Sequence, residues 1–247
     1  MTAARKARNE EPIENDSQSL VSIVKTAGSA VSHNLNGQKL GRKGRDTRER
    51  ILAATVELLA GPDDEAISMS AVARKASLGM TSLYNYFTDF TELLLAVLEP
   101  VIAESEDAFM GMLREHWPDE ELGERCYTFM CAYHDFWLRN SRLLHLRNSM
   151  ADNRDERMLF HRVRSTQPII GLFAAQIDAT DQSGQRAMGM ATVLMTGIER
   201  TVTVATDWHL TDLFGTDQRH EPDHYLLPEA RLMELAIRDT RARVAQG

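Results

Sequence analysis

Residues Ser68 to Phe90 read SMSAVARKASLGMTSLYNYFTDF, and the periodicity of this stretch decides the fold. Met69, Val72, Ala73 and Ala76 fall at i, i+3, i+4 and i+7, which is one apolar stripe on a short helix. Ser77-Leu78-Gly79 then interrupts the pattern, and Gly79 is expected to take the positive φ of a sharp turn. A second short helix follows, with Leu83 and Phe87 one turn apart on its inner face. Thr81, Ser82, Asn85 and Thr88 project from the opposite side, flanked by Tyr84 and Tyr86. Hydroxyl, amide and phenol groups can meet both base edges and phosphate oxygens. Such a short, polar, uncharged face therefore suits a groove better than bulk water, and the pattern reads as a helix-turn-helix.

The wider run carries a family resemblance. Ile51-Leu52-x-Ala54, then Val72-Ala73-x-x-Ala76, then Thr81-Ser82-Leu83-Tyr84-Asn85-Tyr86-Phe87, then Glu92-Leu93-Leu94 resembles the DNA-binding domain of TetR-type transcriptional regulators. The resemblance covers residues 42 to 98, and Leu83-Tyr84-x-Tyr86-Phe87 is its most specific part. Three positions depart from the family pattern. Ser77 stands where the family usually has glycine, Gly79 where it often has serine, and Phe90 where a lysine usually holds a phosphate. The resemblance implies an all-α protein. A helix-turn-helix DNA-binding domain of three helices (42–92) would precede a larger helical bundle for effector binding and dimerisation (93–247). It further implies a homodimer, more often a repressor than an activator, on a palindromic operator in double-stranded DNA.

The 247-residue chain is long enough for one large or two modest cores, and 43% hydrophobic with 26% charged residues is ordinary globular composition. The longest uncharged runs, among them Ser165 to Ile177, are too short for a bilayer span of about 20 residues. The start, MTAARKARNEEPIEND, lacks the apolar core of a secretory signal, so a cytoplasmic location is expected. Cys126 and Cys131 lie five apart in a helical pattern, which suits two core thiols in a reducing compartment. The net charge of −8 comes from residues 93–247, with 16 basic and 24 acidic groups; residues 42–92 hold 7 and 8. Arg42, Lys43, Arg45, Arg48 and Arg50 crowd the start of that middle segment, where a local cluster can neutralise phosphates despite the negative total.

In chain order, residues 1–41 are polar and aperiodic, as expected of a flexible extension. Asp46-x-x-Glu49 predicts a capped helix start, Gly61-Pro62-Asp63-Asp64 a stop, and Asp89-Phe90-Thr91-Glu92 a second cap. Pro100 should bend or break the helix through Leu93–Leu98. Helical patterns then run over about 120–140, 142–150, 155–177, 185–207 and 228–245, with a loop expected over Leu213–Leu227. The span Ala187 to Ile198 is apolar or small nearly all round, and Gly189, Ala191 and Gly197 would admit a second backbone. By resemblance, 185–207 and 228–245 form the dimer interface.

Candidate site residues follow from these assignments. Thr81, Ser82, Asn85 and Tyr86 are expected at base edges. Tyr84, Thr88, Ser68, Ser70, Arg42, Lys43, Arg45 and Arg48 are expected at phosphates. Phe129, Met130, Tyr133, Phe136, Trp137, Phe160 and Met195 would line an effector pocket within the bundle. His134, Arg147, Asn148 and His161 would orient polar atoms there. An apolar wall of this kind favours a small hydrophobic or aromatic effector. One string, His220-Glu221-Pro222-Asp223-His224, matches H-E-x-x-H literally, but Pro222 is unsuited to the regular helix a zinc protease needs. No phosphate-binding loop, nucleophile elbow or dinucleotide fingerprint occurs, so no enzyme, cofactor or metal is expected. Two other classes remain: a helical interaction protein without specific DNA binding, and a metal-dependent hydrolase using His220 and His224.

Overall fold

A computed structural model describes residues 41–61, 66–177, 184–207, 209, 210, 213 and 221–246. The extension expected over 1–41 lies outside the described residues except for Gly41, as do Pro62, Asp63, Asp64 and His220. The regular elements are α1 (Arg42–Leu59), α2 (Met69–Lys75), α3 (Met80–Tyr84), α4 (Phe90–Ala103) and α5 (Ser105–Ala108), then α6 (Leu122–Arg139), α7 (Ser141–Asp152), α8 (Glu156–Ile177), α9 (Gly184–Ala205) and α10 (Asp223–Gln246). A 3-10 turn, Met110–Leu113, follows α5. The chain is all-α, with no strand among the described residues. None of these helices is long and apolar enough to cross a membrane. The chain divides into compact units of Met1–Val101 and Ile102–Gly247, and each is described by itself.

In the first unit, α1 starts one turn earlier than Asp46-x-x-Glu49 predicts. The amides of Gly44 and Arg45 donate to the Gly41 carbonyl at 3.0 and 3.1 Å, so Gly41 opens the helix and Asp46 lies inside it. Ile51, Leu52, Val56 and Leu58 are buried, at roughly 1.5–3 kcal/mol each for an aliphatic side chain. The buried Thr55 hydroxyl is satisfied by the Ile51 carbonyl at 2.9 Å. α1 packs on α2 and α2 on α3. Ser68 caps α2, its Oγ accepting from the Ala71 amide at 3.2 Å.

The turn after α2 differs from expectation in an informative way. Leu78 N donates to Ala73 O at 2.9 Å and Ser77 N to Arg74 O at 3.1 Å, the paired bonds of a Schellman closure. That closure needs a left-handed residue just past the helix, and Ser77 supplies it with φ 53°. Gly79, expected to be the turn glycine, instead has φ −75° and ψ 152°, which any residue adopts. The strain therefore sits at the position where a serine replaces the resembling family's glycine. Ser77→Gly is expected to raise stability by about 0.5–1 kcal/mol, because relief of the left-handed backbone outweighs the added chain entropy. A rise in the urea midpoint would confirm this; a fall would mean the serine hydroxyl compensates.

α3 presents Leu83 inward, and the turn beyond it carries Phe87 to the same side; they are 0% and 1% exposed. α4 is capped as predicted. Glu92 N donates to Asp89 Oδ1 at 2.9 Å, and Glu92 Oε2 accepts from both Thr88 N and Thr88 Oγ1 at 2.6 Å. Pro100 lies within α4, which continues to Ala103 before stopping.

The second unit is a bundle. α10 and α9 pack on α6, α8 packs on α7 and α9, and α10 also meets α8 and α9. The α6 stripe Phe129, Tyr133, Phe136 and Trp137 is buried, and Phe109 stands edge-on to three of these rings at 4.9–5.9 Å. The loop expected up to Leu227 is corrected in part: α10 begins at Asp223, five residues before Pro228. Tyr225 N and Leu226 N close on Pro222 O, and Tyr127 donates its hydroxyl to Asp223 at 2.8 Å, pinning the first turn. Pro228 and His224 are both exposed, so the carbonyl that Pro228 leaves unpaired can turn to water. Gly197, expected to admit a second backbone, faces the chain's own Glu229 on α10, whose Oε1 would lie 3.1 Å from an added Cβ. Neither cysteine forms a disulfide, and burial pushes the Cys126 thiol up to about 12, which makes it inert.

Candidate nucleic-acid interface and ligand pocket

The α2–turn–α3 stretch positions Thr81, Ser82, Tyr84 and Asn85 on the exposed side of α3 and its following turn, opposite Leu83 and Phe87. Tyr84 is 47% exposed, whereas Tyr86 is half-buried. Ser70 is exposed, with its hydroxyl 3.0 Å from that of Ser68. Ser68 already serves as a helix cap, and Thr88 gives its hydroxyl to Glu92. For these two, a phosphate contact would compete with an existing bond.

The basic cluster divides in the same manner. Arg42 and Lys43 are exposed in the first turn of α1, Arg45 is half-buried there, and that turn holds no acidic residue. Cations at a helix N-terminus oppose the macrodipole, at roughly 0.3–1 kcal/mol each. They detract from the stability of α1 unless an anion sits beside them. Arg48 is placed differently. Its guanidinium lies over the Phe87 ring at 5.1 Å, and desolvation lowers its pKa while Glu92 opposes that shift. Arg48 is thus a lid on the core more than a free cation. Arg74, exposed at the end of α2, escaped the sequence analysis because a lone arginine inside a helical stripe carries no spacing signal.

In the second unit a small, partly open cavity, about 20 Å³, is lined by side chains from α5 to α8 and by Ile102. It brings together Tyr133, Phe136, Trp137 and Arg147 from the expected effector set. Phe129, Met130, His134, His161 and Met195 are buried but do not line it. Phe160 is 68% exposed and stands away from the cavity, because the buried face of α8 runs through Met158, His161, Ile169 and Phe173. The cavity has room for about one water, so any larger ligand must displace side chains on entry. Sequence reasoning missed Phe109, Ser165, Thr166 and Ile169, which also line it. The apolar spacing of Ile169 and Phe173 along α8 was a usable signal; the two hydroxyls gave none.

Arg147 is the polar centre of this pocket, 4% exposed. It donates to Asn148 Oδ1 at 3.1 Å, and reaches Ser165 Oγ and Glu199 Oε1 at 3.5 Å each. Its guanidinium lies 5.9 Å from the Trp137 ring centre. Burial lowers the Arg147 pKa, and Glu199 counteracts it. Tyr133 is raised above the ordinary phenol range by burial and then by the Glu199 charge, so it remains a neutral hydroxyl at physiological pH.

In the H-E-x-x-H string, His220 lies outside the described residues, Glu221 and Pro222 are not helical, and His224 sits in the first turn of α10. Among the described residues, no group of three or more His, Cys, Asp or Glu is arranged to hold a metal ion. Compared with known protein families and with curated proteins, the chain matches none.

Proposed function

We propose that this chain is a TetR-like transcriptional regulator, a repressor that binds a palindromic operator as a homodimer and is released by a small effector. The observation that carries this reading is the α2–α3 turn unit. Thr81, Ser82, Tyr84 and Asn85 face outward above a buried Leu83–Phe87 pair, with Arg42 and Lys43 exposed on α1 of the same unit. In this reading α3 enters a major groove, Asn85 and the hydroxyls meet base edges, and the α1 cations meet phosphates. Two-fold symmetry would place half-sites about 34–36 Å apart, or a multiple of that. The second subunit would cover α9 and α10, where Met188, Val193, Leu232 and Leu235 are exposed. Release follows from linkage: an effector that prefers the conformation with misplaced α3 helices lowers operator affinity by its differential affinity for the two states.

The test is retention of sheared source-genome DNA by the purified protein near physiological salt, with sequencing of what is held. Enrichment of one palindrome is expected. Retention of nothing specific, with and without cell extract, would leave the non-DNA-binding interaction protein as the reading. On the enriched site, Arg42→Ala with Arg45→Ala is expected to flatten the log affinity against log salt slope by about 2, one unit for each phosphate no longer neutralised. Tyr84→Phe should weaken operator binding measured by the same titration.

A further inference from the structure

The Arg147 site has three properties that plain core packing does not require. A guanidinium carries five N–H donors, yet among the described residues two of the three bonds of Arg147 are at 3.5 Å. Charge-assisted bonds normally close to about 2.7–2.9 Å. Its counter-ion is loosely held: the Glu199 side chain is 23% exposed and keeps access to water while Arg147 does not. A second cation, Arg162, adds repulsion at Arg147 and is itself turned to Asp152 at 2.8 Å. Beside this under-bonded cation lies the cavity, whose other walls include Ile102, Phe109, Leu144 and Ile169. The cation is thus fixed against Trp137, its carboxylate partner is exchangeable, and the adjoining space is apolar.

We infer that this pocket takes a small organic carboxylate with an apolar body, whose carboxylate replaces that of Glu199 on the Arg147 guanidinium. The inference rests on the regulator reading for its purpose and on the Arg147 geometry for its chemistry. A ligand carboxylate can approach the guanidinium fork bidentately, which the Glu199 contact at 3.5 Å does not achieve. Glu199 itself does not line the cavity, so the apolar body makes its room by displacing the side chains around Arg147. Glu199 then swings to water from α9, one of the helices proposed to pair with the second copy. Exchange of one anion for another leaves the buried charge balanced, so the site does not have to desolvate a new net charge.

The experiment uses the full chain and a series of phenylalkanoates, from benzoate to phenylbutyrate, each beside its primary amide. Binding is followed by tryptophan fluorescence and calorimetry up to about 10 mM, the limit for useful weak affinities. The acids are expected to bind at least about tenfold more tightly than their amides, and Arg147→Met should abolish that preference. Glu199→Gln should tighten the acids several-fold, because the competing carboxylate has lost its charge. Arg147→Lys keeps the charge without the fork and should give an intermediate preference, which guards against misfolding of the Met variant. Equal binding of acid and amide, or no gain in Glu199→Gln, would overturn the carboxylate assignment while leaving an effector pocket in place. Arg147-dependent binding of an acid that leaves retention of the enriched DNA unchanged would support the site and remove its regulatory purpose. Absence of saturable binding by every acid and amide would overturn the pocket itself.

Discussion

Gln176→Leu is expected to lower the stability of the second unit by about 3–5 kcal/mol, far beyond what its conserved side-chain volume suggests. Gln176 is 2% exposed on α8, and its amide serves a segment of chain that has no regular structure of its own. Its Oε1 accepts from Trp117 N at 3.0 Å, and its Nε2 donates to Leu113 O at 2.9 Å and Glu115 O at 2.6 Å. One side chain thus ties the irregular stretch from Arg114 to Trp117 back to the end of the 3-10 turn at Leu113. Leucine fills the volume but leaves one amide and two carbonyls without partners, and each such loss costs about 1–3 kcal/mol when water cannot reach it. Arg241 does not substitute, because it already donates to the carbonyls of Gln176 and Trp117 at 2.9 and 3.0 Å. Urea unfolding followed by circular dichroism measures the loss. A cost under about 1 kcal/mol would mean that water enters the junction and satisfies the freed groups. Gln176→Glu separates the terms, since it keeps the acceptor for Trp117 and sets a carboxylate against two carbonyls. It should be no better than leucine.

The buried and exposed faces of the α2–α3 stretch were legible in the sequence because they follow the helical period. Val72, Ala73 and Leu83 are buried and Thr81 and Ser82 exposed, as the 3.6-residue repeat requires, while Asn85 and Phe87 keep their expected sides from the turn beyond α3. Features set by register or by distant partners were not legible. The left-handed residue fell on Ser77 and not on Gly79 because α2 ends at Lys75, and composition does not fix a helix end to one residue. α1 starts at Arg42 because a backbone carbonyl, not a capping side chain, opens it, so the motif at Asp46 misled. The aromatic wall of the pocket could be read from α6 alone. Its defining pair, Arg147 with Glu199, joins residues 52 apart in the chain, and no local pattern announces such a pairing. Phe160 illustrates the converse: it is a large apolar residue inside a helical stretch, but the phase of α8 turns it outward.

Phe87→Ala is expected to abolish operator binding through the fold, without touching a residue that faces DNA in the proposed reading. Phe87 is 1% exposed and sits where the turn after α3 meets the start of α4. Truncating a buried phenylalanine costs about 3–5 kcal/mol. A unit of this size holds only about 3–9 kcal/mol in total at ordinary per-residue stability, so most of its margin would go. The truncation also removes the floor under Arg48, whose half-buried guanidinium rests on that ring at 5.1 Å. Hydrogen exchange should then reach the amides of Ile51, Leu52, Ala54, Thr55 and Val56, residues that are buried on α1 in the intact unit. Arg48→Met tests the same pairing more gently. It keeps the cover over Phe87 and removes the charge, so it should cost about 0.5–1 kcal/mol of cation–π attraction and leave the salt slope of DNA binding unchanged. A drop in that slope by about 1 would instead make Arg48 a phosphate ligand, with its seat on Phe87 given up on binding. The two substitutions therefore distinguish a residue that holds the platform from one that reads the partner. Arg42→Ala supplies the contrast: it is expected to alter the slope and leave the amide protection of α1 intact.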